Sequence, residues 1–288
     1  MARRTKTKVV AGFGVVAGAL GLGAFNSSFD VSVQPEITNE VFAPHFSYHC
    51  IETEIAPPLD NHGQLTVAVW NIYKQQRPNW RSALASFTQK SDLVLLQEAS
   101  LNTELQNYLN DSQWQVRMAN AFRFLDTPAG VMNLSRVSSR QTCAYLAMEP
   151  WLRLPKSALL SQFSLSNGQT LAVVNLHGVN FAIGLNEYKQ QLDSLKAVLE
   201  QHQGPIILAG DFNTWRKARI KVVRAFAHSL GLKEVHYHND QRVRVLGKPL
   251  DHLYYRDLRL VKAEAPKTDA SDHNPLLATF KLLSPTVH

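Results

Sequence analysis

The chain has 288 residues, 45% of them hydrophobic and 18% charged, which supports one large core and excludes wholesale disorder. A formal net charge of +7 favours an anionic partner: nucleic acid, phospholipid or a phosphorylated metabolite. The two cysteines, Cys50 and Cys143, belong to no CxxC or Cys/His cluster, which argues against a structural zinc centre. Two unpaired thiols are favoured over a single disulfide.

At the N-terminus, Arg3, Arg4, Lys6 and Lys8 precede an uncharged apolar run from Val9 to Phe25. Its length sits at the lower edge for a spanning helix and a little above a signal-peptide core. Residues 1–25 are read as a leader that exports the protein or anchors it in a membrane, with a cytoplasmic location as the alternative. An anchored helix would keep its basic end in the cytoplasm and place the remainder outside. Residues 26–64 carry Pro35, Pro44, Pro57 and Pro58 with no sustained periodicity, and read as a linker to one domain over 65–283.

Regular structure is expected to begin with LTVAVWN, a β-rich run ending at Asn71. Residues 78–90 read as a helix with Pro78 in its first turn, and DLVLLQE (92–98) as a strand buried on both faces. GVMNLSR, SALLSQFSL and QTLAVVNLH follow as strands, the last two joined by a hairpin at Asn167-Gly168. A helix is expected over 187–201, a buried strand in GPIILAGD and a helix over 216–229. LDHLYYR, LRLVKAEA and PLLATF supply the last strands. Strands and helices interleave with hairpins, so the fold class is α/β with mixed sheets.

Polar residues fall repeatedly at strand ends. Asn71, Glu98, His177 and Asp211 close apolar runs, Asp251 opens one, and Asp272-His273 precedes another. An unpaired carboxylate buried there costs several kcal/mol, so these positions point to a shared sheet rim. Carboxylates gathered without cysteine favour a hard cation, Mg²⁺ or Mn²⁺. Each residue alone has a plainer role. Glu98 could start a helix, Asp211 and Asn213 could form a turn, His177 could be a core histidine, and Asp272 could cap a turn.

In combination, VWN at 69–71, LLQE at 95–98, GVMNLSR at 130–136, NLH at 175–177, GDFN at 210–213, LDH at 250–252 and SDHNP at 271–275 resemble the endonuclease/exonuclease/phosphatase superfamily. A closer likeness, through VWNIYKQQR, LVLLQEA and LDHLYYR, is to the bacterial YafD-like proteins, a group that names no substrate. The resemblance implies a DNase I-like four-layer sandwich, with two mixed β-sheets face to face and helices outside. It implies metal ligation by Glu98 with Asn71 and Asp272. By the same likeness, Asp211 and Asn213 would handle the attacking water, and Asp251 would steer His273 at the phosphate, with His177 near the leaving group. His252 departs from the family pattern, which has an apolar or aromatic residue there, and is expected to point away from the site.

Lys74 and Arg77, just past Asn71, are placed to meet a polyanion, and Trp215 and Arg216 to hold a base and a phosphate. The cations of 216–224 otherwise read as a solvated helix face, and Arg242, Arg244 and Lys248 as a positive loop. No single loop is long and hydrophobic enough to mark a lipid-inserting element. The expected function is metal-dependent phosphodiester hydrolysis by a monomer, nucleic acid ahead of phospholipid or inositol phosphate. Membrane association would come through residues 9–25. A non-catalytic, membrane-tethered binding protein is the alternative of a different class.

Overall fold

A computed structural model describes residues 28–284 apart from 33, 40–45 and 183. The expected leader, residues 1–25, lies outside the described residues. Among them, no helix is long and apolar enough to cross a membrane.

The strands are β1 (Phe29–Asp30), β2 (Glu36–Thr38), β3 (Phe46–Tyr48), β4 (Cys50–Glu52), β5 (Gln64–Asn71), β6 (Leu93–Ser100), β7 (Gln115–Phe124), β8 (Thr127–Ser135) and β9 (Gln141–Met148). They continue with β10 (Pro155–Ser164), β11 (Thr170–His177), β12 (Ile206–Asp211), β13 (Lys233–Glu234), β14 (His238–Asp240), β15 (Arg244–Val245), β16 (Lys248–Pro249), β17 (Asp251–Arg256), β18 (Leu258–Ala265) and β19 (Leu276–Leu282). Among the described residues, the longer helices are α1 (Trp80–Thr88), α2 (Thr103–Asn110), α3 (Asn186–Leu199) and α4 (Lys217–Ser229).

One ten-stranded sheet runs β14-β18-β19-β5-β6-β8-β7-β2-β3, with β1 beside β7. The second, of seven strands, runs β13-β17-β12-β11-β10-β9-β4. Both are mixed: β5 and β6 pair in parallel, as do β11 and β12, within otherwise mostly antiparallel sheets.

Alternation along the strands sets the layers. Val67, Val69, Leu93, Leu95, Val173 and Ile207 meet in one core between the sheets. Their neighbours Ala68, Trp70, Val94 and Leu96 pack outward with Leu84 of α1 and Leu105 of α2. Val174, Ile206 and Leu208 pack outward with Leu192 of α3 and Val223 of α4. Central strands buried on both faces need nearly continuous apolar runs, which is why VWN, LLQE and NLH read as they do. The result is helix, sheet, sheet, helix: the expected DNase I-like sandwich.

Two sequence expectations are corrected. Residues 26–64 are more than a connector: Glu36 of β2 pairs with Asn120 of β7, and Ile37 is buried with Ala119, Val131 and Leu159. Three-residue strands added at sheet edges carry no periodicity long enough to detect. Cys50 and Cys143 are not free thiols but a disulfide. They face each other across the β4–β9 pair, a contact 93 residues apart in sequence that no local pattern reveals. Helix α2 and strand β7 were also not anticipated; α2 buries only Leu105 and Leu109 and so lacks a strong apolar stripe.

Candidate active site

The chemistry-bearing residues meet because their strands end at one rim. Asn71 ends β5, and Glu98 follows Gln97, the partner of Asn71, at a bulge in the neighbouring strand β6 of the larger sheet. In the smaller sheet His177 lies beside Asp211, and Asp211 beside Asp251. A buried amide network ties the sheets together below the rim. Gln97 Nε2 donates to Asn175 Oδ1 at 2.7 Å, and Asn175 Nδ2 donates to Asn133 Oδ1 at 2.9 Å and to the Leu96 carbonyl at 3.0 Å. These bonds lock β6 against β11 and so bring Glu98 opposite His177. Sequence reasoning missed this support, although Gln97 and Asn175 are polar breaks within apolar runs.

Local backbone aims the side chains. Glu98 has φ of 51°, where β6 shifts register against β8 between Leu96 and Ala99; this bulge turns the carboxylate into the site. Gly210 has φ of 137°, and a Cβ there would lie 2.0 Å from the Leu176 carbonyl oxygen, so only glycine lets β12 pass β11. Asn213 has φ of 50°, and its N–H donates to Asp211 Oδ1 at 2.9 Å. Its Nδ2 donates to the Gly178 carbonyl at 2.9 Å. The Ser271-His273 loop is moored to β5 by Ser271 Oγ donating to the Asn71 carbonyl and Trp70 Nε1 to that of His273, at 2.7 and 3.0 Å.

At the centre, Asn71 Nδ2 donates to Asp211 Oδ2 at 3.1 Å, and His273 Nδ1 is 2.8 Å from Asp251 Oδ2. His177 Nε2 lies 3.8 Å from Glu98 Oε1 and 3.6 Å from Asp211 Oδ2. Burial pushes the Asp211 carboxyl up to about 7, with His273 opposing and Asp251 reinforcing the rise. Burial would lower His273, but Asp251 and Asp211 outweigh it and raise the imidazole to about 10. Burial, aided by Lys156, drives His177 well below its usual value and keeps it neutral. Burial would raise Glu98, but the Lys74 ammonium resting on it, with Lys156 nearby, outweighs burial and holds the carboxyl below its usual value. One face of the site is therefore ionised carboxylate, and the other a proton-sharing His–Asp pair.

Asp211, Asp251 and His273 offer ligand atoms within 4.8 Å of one another. His273 Nδ1 is already engaged by Asp251, which suits this group to proton handling. Glu98 carries the Lys74 ammonium against its carboxylate and faces a cavity, so a cation entering there would displace the ammonium. Oxygen donors from Glu98 and Asn71 fit a hard divalent ion.

The remaining expected residues disperse. Asp272 is exposed, its carboxylate 3.4 Å from Ser271 Oγ, and Arg77 is exposed beyond β5. Trp215 Nε1 donates to Asn180 Oδ1 at 2.9 Å, and Arg216 Nη2 to the Gly184 carbonyl at 2.6 Å. His252 turns from the site toward Thr214 Oγ1 and Glu234, at 2.7 and 2.8 Å. The basic face expected over 216–224 needs correction. Arg219 is fully buried and donates to the carbonyls of Val179, Asn180 and Asn213, because helical spacing turns it inward. Arg242 and Arg244 are paired with Asp240 and do not form a free positive loop.

Residues 68–273 match the Endonuclease/Exonuclease/phosphatase family. The chain is 47% identical over 265 residues to a UPF0294 protein of Vibrio vulnificus, covering 91% of this chain and 93% of that one. It resembles the structure of an endonuclease/exonuclease/phosphatase family protein from Bacteroides thetaiotaomicron with a TM-score of 0.61 at 15% identity, covering 78% and 98% of the two chains. It resembles that of ANGEL2, a 2',3'-cyclic phosphatase, with a TM-score of 0.57 at 17% identity, covering 76% and 95%. With its motifs assembled at one rim, the chain belongs to the Endonuclease/Exonuclease/phosphatase family and is a phosphoesterase- or nuclease-like hydrolase.

Proposed function

We propose that the protein hydrolyses phosphodiester bonds with Mg²⁺ or Mn²⁺ held at Glu98 and Asn71. The observation that carries this reading is the buried His273–Asp251 pair facing Asp211, beside an ionised Glu98. When bound, the metal would supply neutralisation of charge growing on the phosphate. Asp211, with its carboxyl raised to about 7, is suited to take a proton from water near neutrality. Protonated His273, oriented by Asp251, donates toward a phosphate oxygen, and neutral His177 contacts the phosphate without adding charge. Asn71 and Asn213 hold the Asp211 carboxylate in place.

The disulfide and the sequence of the leader support a location outside the cytoplasm, because disulfides persist in oxidising compartments. The test of activity uses the full chain, since a start near residue 60 would remove β2 and Cys50. DNA, RNA, inositol phosphates and vesicle phospholipid are offered with Mg²⁺, Mn²⁺ or EDTA. Metal-dependent turnover that disappears in His273→Ala is expected; turnover of none, or turnover equal in EDTA, would overturn the reading. A binding-only protein would hold a ligand equally after Asp211→Ala and turn over nothing.

A further inference from the structure

The catalytic mouth is bordered by apolar side chains left in water. Phe124, Leu152 and Phe181 line a cavity of about 520 Å³ that also touches Glu98, His177, Lys74 and Lys156. Trp151, Phe181 and Val245 line a second, of about 500 Å³, beside Asn213 and Arg216. All five of these apolar side chains are exposed. They come from the β7–β8 and β15–β16 hairpins, the β9–β10 connection and the chain after β11, around the rim that holds Asn71, Glu98, His177 and Asp211.

Two of those connections carry an unusual residue. The β7–β8 hairpin turns on Leu125-Asp126 and the β15–β16 hairpin on Leu246-Gly247, and these residues have φ of 45°, 66°, 49° and 73°. Two-residue turns with both φ positive favour Asn, Asp or Gly, because a branched side chain crowds the backbone there. Leu125 is nevertheless 66% exposed and Leu246 77% exposed, so neither packing nor turn geometry accounts for leucine. The β10–β11 hairpin, at the end of those strands remote from His177, uses Asn167-Gly168 as turn chemistry prefers. Of these three hairpins, the two that carry a leucine in the turn border the catalytic mouth, and the remote one does not.

The N-terminal chain reaches the same rim. Phe29 pairs with Phe124 and lines the first cavity. The apolar run in the sequence ends at Phe25, four residues earlier, a reach of at most ~14 Å. A bilayer holding that run would lie next to the mouth, and the net charge of +7 suits an anionic lipid surface.

We propose that this rim docks on a lipid bilayer and that the site hydrolyses a phosphoester lipid presented from it. The phosphate meets Lys74 and Lys156, and the apolar part lies along Phe122 and Phe124 in the first cavity. Water oxygen forms the new P–O bond, the ester P–O bond breaks, and the departing oxygen takes a proton. The substrate assignment rests on the phosphoesterase reading above; the docking does not.

The full chain is mixed with phosphatidylcholine/phosphatidylglycerol vesicles containing brominated acyl chains, and tryptophan quenching is compared with Trp151→Phe. Trp151 is 66% exposed, so its quenching reports contact of the mouth with lipid, which tethering through the leader alone would not produce. Wild-type quenching that falls sharply in Trp151→Phe is expected, with Trp215 in the same cavity supplying the remainder. The double variant Leu125→Asn/Leu246→Asn should keep or raise its unfolding midpoint and keep its rate on soluble bis(p-nitrophenyl) phosphate within about twofold. Its hydrolysis of vesicle phosphatidylglycerol should fall at least about tenfold, as two leucines no longer leave water. No Trp151 quenching, or vesicle and soluble rates falling together, would overturn the proposal. Turnover of DNA or the soluble diester without the vesicle lipid would overturn the lipid assignment and leave the phosphoesterase reading intact. No turnover of any substrate would overturn that reading with it, while quenching would still decide the docking.

Discussion

His273 holds its Nδ1 2.8 Å from Asp251 Oδ2, a buried pair that directs the other ring nitrogen toward Asp211 at 3.9 Å. An imidazolium in this setting has one orientation, and its charge is supported from both sides. Removing the ring removes a proton carrier, so His273→Ala should lower kcat by roughly 10²–10⁴-fold. Asp251→Asn keeps the shape and loses the charge, and should give a smaller loss. Steady-state rates on any turned-over phosphodiester check both, and equal rates in all three proteins would contradict the assignment.

The pH profile follows from the same pair. Asp211 loses its proton at about 7 and His273 at about 10, so the form with ionised Asp211 and protonated His273 prevails between them. The rate should climb through neutrality and decline as pH approaches 10. Because Asp251 raises the His273 value, Asp251→Asn should bring the alkaline decline to lower pH. An alkaline limb unmoved by that substitution would rule out His273 as its source.

On the proposed metal site, Lys74 would compete with the cation for Glu98. Its ammonium rests on the carboxylate, yet its side chain is 37% exposed, which limits the pair to about 1 kcal/mol or less. Lys74→Met should therefore lower the Mg²⁺ concentration for half-maximal rate by roughly two- to fivefold. If Lys74 also binds the substrate phosphate, KM rises in the same variant. Titrating rate against Mg²⁺ at saturating substrate separates the two effects; a higher metal requirement would refute competition.

The Cys50–Cys143 disulfide closes a loop of 93 residues between an edge strand and the sheet it completes. Cys50→Ser/Cys143→Ser should cost about 2–5 kcal/mol in denaturant unfolding, with wild type in reductant behaving alike. Acid-quenched alkylation of the protein in its native cells should find both thiols blocked. Free thiols there would argue against a location outside the cytoplasm.

Much of the site was legible because core strands have no use for a terminal carboxylate or imidazole. Asn71, His177 and Asp211 close strands, Asp251 opens one and Glu98 marks a bulge in another, each interrupting an apolar run that burial on both faces otherwise makes continuous. GDFN and SDHNP, with the shorter motifs adding order and spacing, carry the resemblance to the family, and that resemblance implies the four-layer fold. Tertiary structure alone decided what depends on contacts far apart in sequence. It paired Cys50 with Cys143, added β1 and β2 to one sheet and β4 to the other, and turned Arg219 inward onto three carbonyls. It also gathered Phe124, Trp151, Phe181 and Val245 around one mouth, although no single loop among them is hydrophobic enough to stand out. Local propensity is written in neighbouring residues, whereas a shared surface is written in strand order, and strand order is set by which apolar faces can be buried together.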